Sequence, residues 1–115
     1  NPVLAKAVEH FKNRSDADMQ SIHVEEWDTT VYYKQIQTFA EQSKVMQLHA
    51  SGKVVEALVE TIITKARSKD GNKMFQPAER TYLLNECDPE VLVKIATALN
   101  SQADNAYDLD ETAKN

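Results

Sequence analysis

Residues 53–69 read KVVEALVETIITKARSK. At 100° per residue, Val54, Val55, Leu58, Val59, Ile62, Ile63 and Ala66 cover about half of a helix circumference. Glu56, Glu60, Thr64, Arg67 and Ser68 fall opposite. An arc this wide predicts packing from at least two sides. Each buried aliphatic contributes roughly 1.5–3 kcal/mol, so this helix supplies on the order of 10 kcal/mol of gross driving force. Leu58→Ala is expected to cost about 2–5 kcal/mol.

Upstream, Thr38-Phe39-Ala40-Glu41 is a capping box that opens a helix running to about Ser51. Its apolar residues form two stripes. Phe39, Met46 and Ala50 make one; Val45 and Leu48 make the other. One stripe can face the core, and the other needs a further contact. Ser51-Gly52 breaks this helix from the central one. Further upstream, Ile22 and Val24 alternate with Ser21, His23 and Glu25, and Val31 and Tyr33 alternate with Tyr32 and Lys34. The alternation predicts strands over Met19–Trp27 and Val31–Ile36, joined by Asp28-Thr29-Thr30. A two-stranded ribbon is marginal alone, so it must pack on helices or on a neighbouring molecule. Residues 3–12, VLAKAVEHFK, read as an amphipathic helix with Leu4, Ala7, Val8 and Phe11 on one face. A helix that short does not persist alone in water, so it must lie on the core or on another chain. NRSDAD, residues 13–18, reads as a polar linker.

Downstream, Asp70-Gly71-Asn72 is a turn signal and Met74-Phe75 an apolar anchor. Pro77 starts a helix containing Tyr82, Leu83 and Leu84. Asp88 caps the last helix, whose inner face is Val91, Leu92, Ile95 and Leu99. The expected fold is mainly α: about five helices in a compact domain plus a two-stranded hairpin. One domain spans residues 1–100, its N-terminal helix and linker occupying 1–18. Residues 101–115 read as a mobile acidic tail.

Composition narrows the function classes. The chain has 115 residues and a net charge of −5. The acidic balance disfavours nucleic acid and anionic membrane as partners. No apolar run reaches the roughly 18 residues a membrane span requires, and no signal-peptide pattern is visible. Cys87 is the single cysteine, which suits a reducing compartment. His10, His23, His49 and Cys87 show no zinc-site spacing. Glu25, Glu26 and Asp28 cluster at the hairpin, where solvated carboxylates are the default. No glycine-rich phosphate loop or nucleophile elbow occurs. Neither a catalytic residue, a cofactor nor a metal is expected. Trp27, Tyr32 and Tyr33 place three large aromatics on one hairpin. They pack the ribbon onto the helices or anchor a partner. Together with Val45 and Leu48 they are the candidate partner-binding residues.

The order of these pieces carries a resemblance. Val24-Glu25-Glu26-Trp27 and Thr30-Val31-Tyr32 are followed by the capped helix, then Val55-Glu56-Ala57-Leu58-Val59, Lys65-Ala66-Arg67, Asp70-Gly71, Phe75 and Asp88-Pro89-Glu90-Val91-Leu92. Over residues 20–100 this resembles the tail assembly chaperones of long-tailed bacteriophages. That family carries a similar V-x-E-W … T-V-Y hairpin, a KAR-x-x-DG-x-x-x-F stretch and a D-P-x-V-L helix start. Asp28 stands where the family has glycine, and Gln76 where it has a Ser or Thr cap. The first departure predicts an altered hairpin turn, the second a weaker helix start.

The resemblance implies a non-enzymatic protein of the host cell cytoplasm, absent from the mature virion. It would bind the tape measure protein, keep it soluble and help recruit tail tube protein. Self-association and a longer product of translational frameshifting belong to the same expectation. The alternatives are a structural neck or tail subunit of the virion and a small regulatory nucleic-acid-binding domain.

Overall fold

The computed structural model describes residues 1–17, 19–34 and 36–100. The acidic tail expected over 101–115 lies outside the described residues. So do Asp18 of the expected linker and Gln35 of the expected second strand.

The described chain runs α1 (Pro2–Ala17), β1 (Met19–Val24), β2 (Thr29–Lys34), α2 (Phe39–Ala50), α3 (Val54–Lys65), β3 (Ala66–Arg67) and α4 (Arg80–Glu86). A last helix, α5, covers 89–100. The fold is mainly helical with a small antiparallel sheet, as the sequence implies. The sheet has three strands rather than two, in the order β1-β2-β3. Ile22 pairs with Val31, and Tyr33 pairs with Ala66. The helical reading of residues 53–69 therefore stops early. Ala66 turns extended, at φ −68° and ψ 131°, and lends its backbone to the open edge of β2. An unpaired strand edge is costly to cover otherwise, and this long-range pairing overrides the helical pattern of KARSK.

The turn between β1 and β2 also differs. Glu25–Trp27 form a 3-10 turn, and Asp28 closes it with φ 48° and ψ 48°. Glycine is the easy residue in that left-handed conformation; Asp is among the few others that tolerate it. The departure at Asp28 thus keeps a glycine-like backbone. The expected linker at 13–18 is helical as far as Ala17, as a continuation of α1.

The caps are those the sequence announces. The Thr38 hydroxyl accepts from the Glu41 amide at 3.2 Å, and the Glu41 carboxylate accepts from the Thr38 amide at 3.0 Å. At the other end of α2, the Lys53 amide donates to the Leu48 carbonyl at 2.8 Å and the Gly52 amide to His49 at 3.0 Å. This double bond pattern with Gly52 at φ +77° is a Schellman cap. The Glu79 carboxylate accepts from the Gln76 amide at 2.8 Å. There the chain makes only a 3-10 turn, Pro77–Glu79, before α4 begins. Asp88 Oδ1 accepts from the Glu90 amide at 3.0 Å and starts α5.

The core joins one sheet face to three helices. Val24, Val31 and Tyr33 meet Val59, Ile62 and Ile63 of α3, Leu83 of α4, and Val91, Leu92, Ile95 and Leu99 of α5. From Val59 to Lys65, α3 is buried all round. Glu60 and Thr64, expected on an outer face, are therefore inside. Each has its polar partner: the Thr64 hydroxyl donates to the Glu60 carbonyl at 3.0 Å, and Glu60 is paired as described below. The expected arc shifts in compensation. Val54 and Val55 are 57% and 65% exposed, and Leu58 is half-buried against the core.

Candidate protein-binding surfaces

An ion pair joins α2 to α3. Glu60 Oε1 lies 3.1 Å from Lys44 Nζ of α2, and Glu60 Oε2 lies 2.6 Å from Arg80 Nη2 of α4. One carboxylate of α3 thus ties both flanking helices. Burial pushes the Glu60 pKa up, but the hydrogen bonds from Arg80 and Lys44 outweigh it and hold the group below its ordinary value. Along α2 the half-buried residues are Glu41, Val45 and Leu48. These share one face at helical spacing, and α3 packs on α2.

The opposite face of α2 is open. Phe39 is 90% exposed and Met46 67%. With Ala50 they line one shallow depression, accompanied by Gln42, Ser43 and Gln47. That depression contains no charged side chain. An exposed Phe at a helix start has no packing role to explain it, and Met adapts to irregular partners. Large apolar residues grouped on an open face mark interaction surface.

A second open face lies on α1. Val3, Leu4 and Val8 are 71%, 61% and 59% exposed. Only towards its C-terminal half does α1 approach the rest of the chain: Phe11 is half-buried and Ser15 buried. Of the two places expected for this helix, the core or another chain, its first two turns do not take the core. A third surface is an apolar cleft between α3, α4 and α5, lined by Val55, Leu58, Leu84, Cys87, Pro89 and Val93 among others.

The residues singled out from sequence divide accordingly. Tyr33 is buried in the core. Trp27 is half-buried, its ring edge-on to Phe75 at 6.3 Å between centroids. Tyr32 is half-buried on the other sheet face, paired with Ser21 and Arg67. Val45 and Leu48 sit on the α3 side of α2. The two α2 stripes were both legible, and the structure opens the Phe39 stripe. What sequence pattern lacked was the direction from which α3 approaches. The acidic trio at the hairpin is exposed, with Glu26 bonded to Lys94 at 2.9 Å. Among the described residues no group of His, Cys, Asp and Glu is placed to hold a metal ion. No described helix is long and apolar enough to cross a membrane.

No family model matches the chain, and no curated protein matches it. A solved structure of the bacteriophage HK97 tail assembly chaperone does share its fold. The TM-score is 0.58 at 15% sequence identity, over 82% of this chain and 97% of that one. At such identity the likeness is one of fold.

Proposed function

We propose that this chain is a phage tail assembly chaperone. In this reading it binds the tape measure protein in the host cell cytoplasm, keeps it soluble and helps recruit tail tube protein. It then leaves, so the mature virion lacks it. It performs no bond-making chemistry. The uncharged, exposed stripe of Phe39, Met46 and Ala50, on a helix whose Val45 and Leu48 side packs on α3, is the observation that carries the reading. The shared fold with the HK97 protein supports it, as does the ordered set of sequence motifs.

A helix lying on another helix's apolar stripe is a common mode of recognition. Many copies on one long partner gain strength from effective concentration, yet each copy can release. Self-association along the partner and a frameshifted longer form belong to the same proposal. The test is co-expression with the tape measure protein of the same phage. That protein is expected to aggregate alone and to remain soluble with this chain. Equal aggregation in both cases would overturn the proposal.

A further inference from the structure

The open stripe of α2 has an internal order of sizes. Phe39, Ser43, Met46 and Ala50 line the depression on that face. They follow one another at spacings of four, three and four residues, which is the heptad spacing of a helix–helix seam. At 100° per residue the four fall within about 60° of the helix circumference. Large and small side chains alternate along the seam. All four are exposed, as are Gln42 and Gln47 beside them, whereas the half-buried Glu41, Val45 and Leu48 lie on the opposite side. The positions flanking the seam are Ala40, Gln42, Gln47 and His49, with no carboxylate, lysine or arginine among them.

From this we infer that the stripe is the contact of a reversible homodimer of the free chain, with α2 of a second copy lying antiparallel across it. A twofold axis between Lys44 and Val45 sets Phe39 against the partner's Ala50 and Met46 against the partner's Ser43. A twofold contact uses the same patch on both copies, so each large side chain enters the gap over a small one, and each small one receives a large one. A parallel pairing along the same seam sets Phe39 on its own copy and Met46 on its own copy, and leaves the small residues facing gaps. Size complementarity therefore selects the antiparallel second copy, and the uncharged flanks bring no like charges together. A second copy's α1 would carry Glu9 and Lys12, which line its own groove, onto a seam with no charge to meet them. One short helix pair lies at the small end of protein interfaces, which suits a contact that releases. The inference rests on the protein-binding reading above and deepens it: each stripe serves one occupant at a time, so free copies cover Phe39 and Met46 for each other until a client helix takes that face.

Sedimentation equilibrium of the full chain and two variants tests it. The wild type is expected to pass from monomer to dimer between about 1 µM and about 1 mM. Ser43→Met makes the stripe more apolar but sets methionine against methionine, and is expected to weaken the dimer about tenfold or more. Ser43→Met/Met46→Ser restores the large-on-small match and is expected to bring the dissociation constant back to within about threefold of the wild type. Ser43 and Met46 are both exposed, so the variants are expected to keep the wild-type circular dichroism spectrum. Each copy carries a net charge of −5 and the seam has no ion pair, so added salt is expected to leave the dimer as tight or tighter. A chain that stays monomeric over the whole range would overturn the inference. So would a tighter dimer in Ser43→Met, a double variant that fails to recover, or a dimer that salt weakens. A dimer that passes these tests in a chain that leaves the tape measure protein insoluble would sink the chaperone reading and leave the dimer standing. A soluble tape measure protein with a monomeric free chain would do the reverse.

Discussion

Arg80 reaches Glu60 across the α3–α4 interface with Nη2 2.6 Å from Oε2, and the Glu60 side chain is 4% exposed. That pair, with Lys44 on the other oxygen at 3.1 Å, holds two helices against a third. The two arms are unequal: the side chain of Lys44 is 56% exposed and that of Arg80 34%. Arg80→Ala leaves a buried carboxylate short of a charge-assisted bond, which costs about 1.5–3 kcal/mol. Lys44→Ala removes a more solvated partner and is expected to cost about 1 kcal/mol or less. Urea unfolding of both variants checks the order.

The same carboxylate sets a pH dependence. Glu60 has a folded pKa below its unfolded value, since the bonds from Arg80 and Lys44 outweigh the opposing effect of burial. Between the two values the unfolded chain binds more protons, so stability rises with pH there. The contribution is complete above the ordinary glutamate range, near about 4.3, and is lost as pH falls through the folded value. Glu60→Gln is expected to flatten the acid limb of unfolding free energy against pH. An unchanged slope would remove Glu60 as its source.

Core position decides the cost of truncation. Ile62 is fully buried, and Ile62→Ala is expected to cost about 2–5 kcal/mol. Leu58 is half-buried at the edge of an open cleft, so Leu58→Ala should fall below Ile62→Ala rather than span that range. Val55→Thr, at 65% exposure, is expected within about 0.5 kcal/mol of the parent. Chemical denaturation of the three variants orders them.

These positions show what pattern alone conveys. Six of the seven apolar residues read on the central helix lie in α3, and the caps at Thr38 and Asp88 and the alternation about Ile22 and Val31 were equally visible. Local chemistry specifies such features, and the structure has them. Three things depended on distant residues. Ala66 left the helix to close the edge of β2. Glu60 went inside because Lys44 and Arg80 meet it there. The Phe39 stripe faces outward because α3 packs on the Val45 and Leu48 side. Periodicity names two stripes, but only the tertiary approach of α3 says which is covered.

Two positive-φ residues should respond in opposite senses. Gly52, at φ +77°, has open space where a Cβ would stand. Gly52→Ala therefore meets backbone strain alone, about 1–2 kcal/mol. Asp28 holds φ 48° without being glycine. Asp28→Gly is expected to be neutral or stabilising by up to about 1 kcal/mol, and Asp28→Val destabilising. Thermal melts of the three variants read the signs.

The central claim is that exposed apolar helix surface, led by Phe39 and Met46, is what this protein offers to its partner. The most direct measurement is co-purification of the tape measure protein with the wild-type chain and with the double variant Phe39→Glu/Met46→Glu. Both side chains are largely exposed, so the variant is expected to keep its fold and its melting temperature. The account predicts that the wild type retains the tape measure protein and the double variant loses it. Equal retention by a folded double variant would contradict the account.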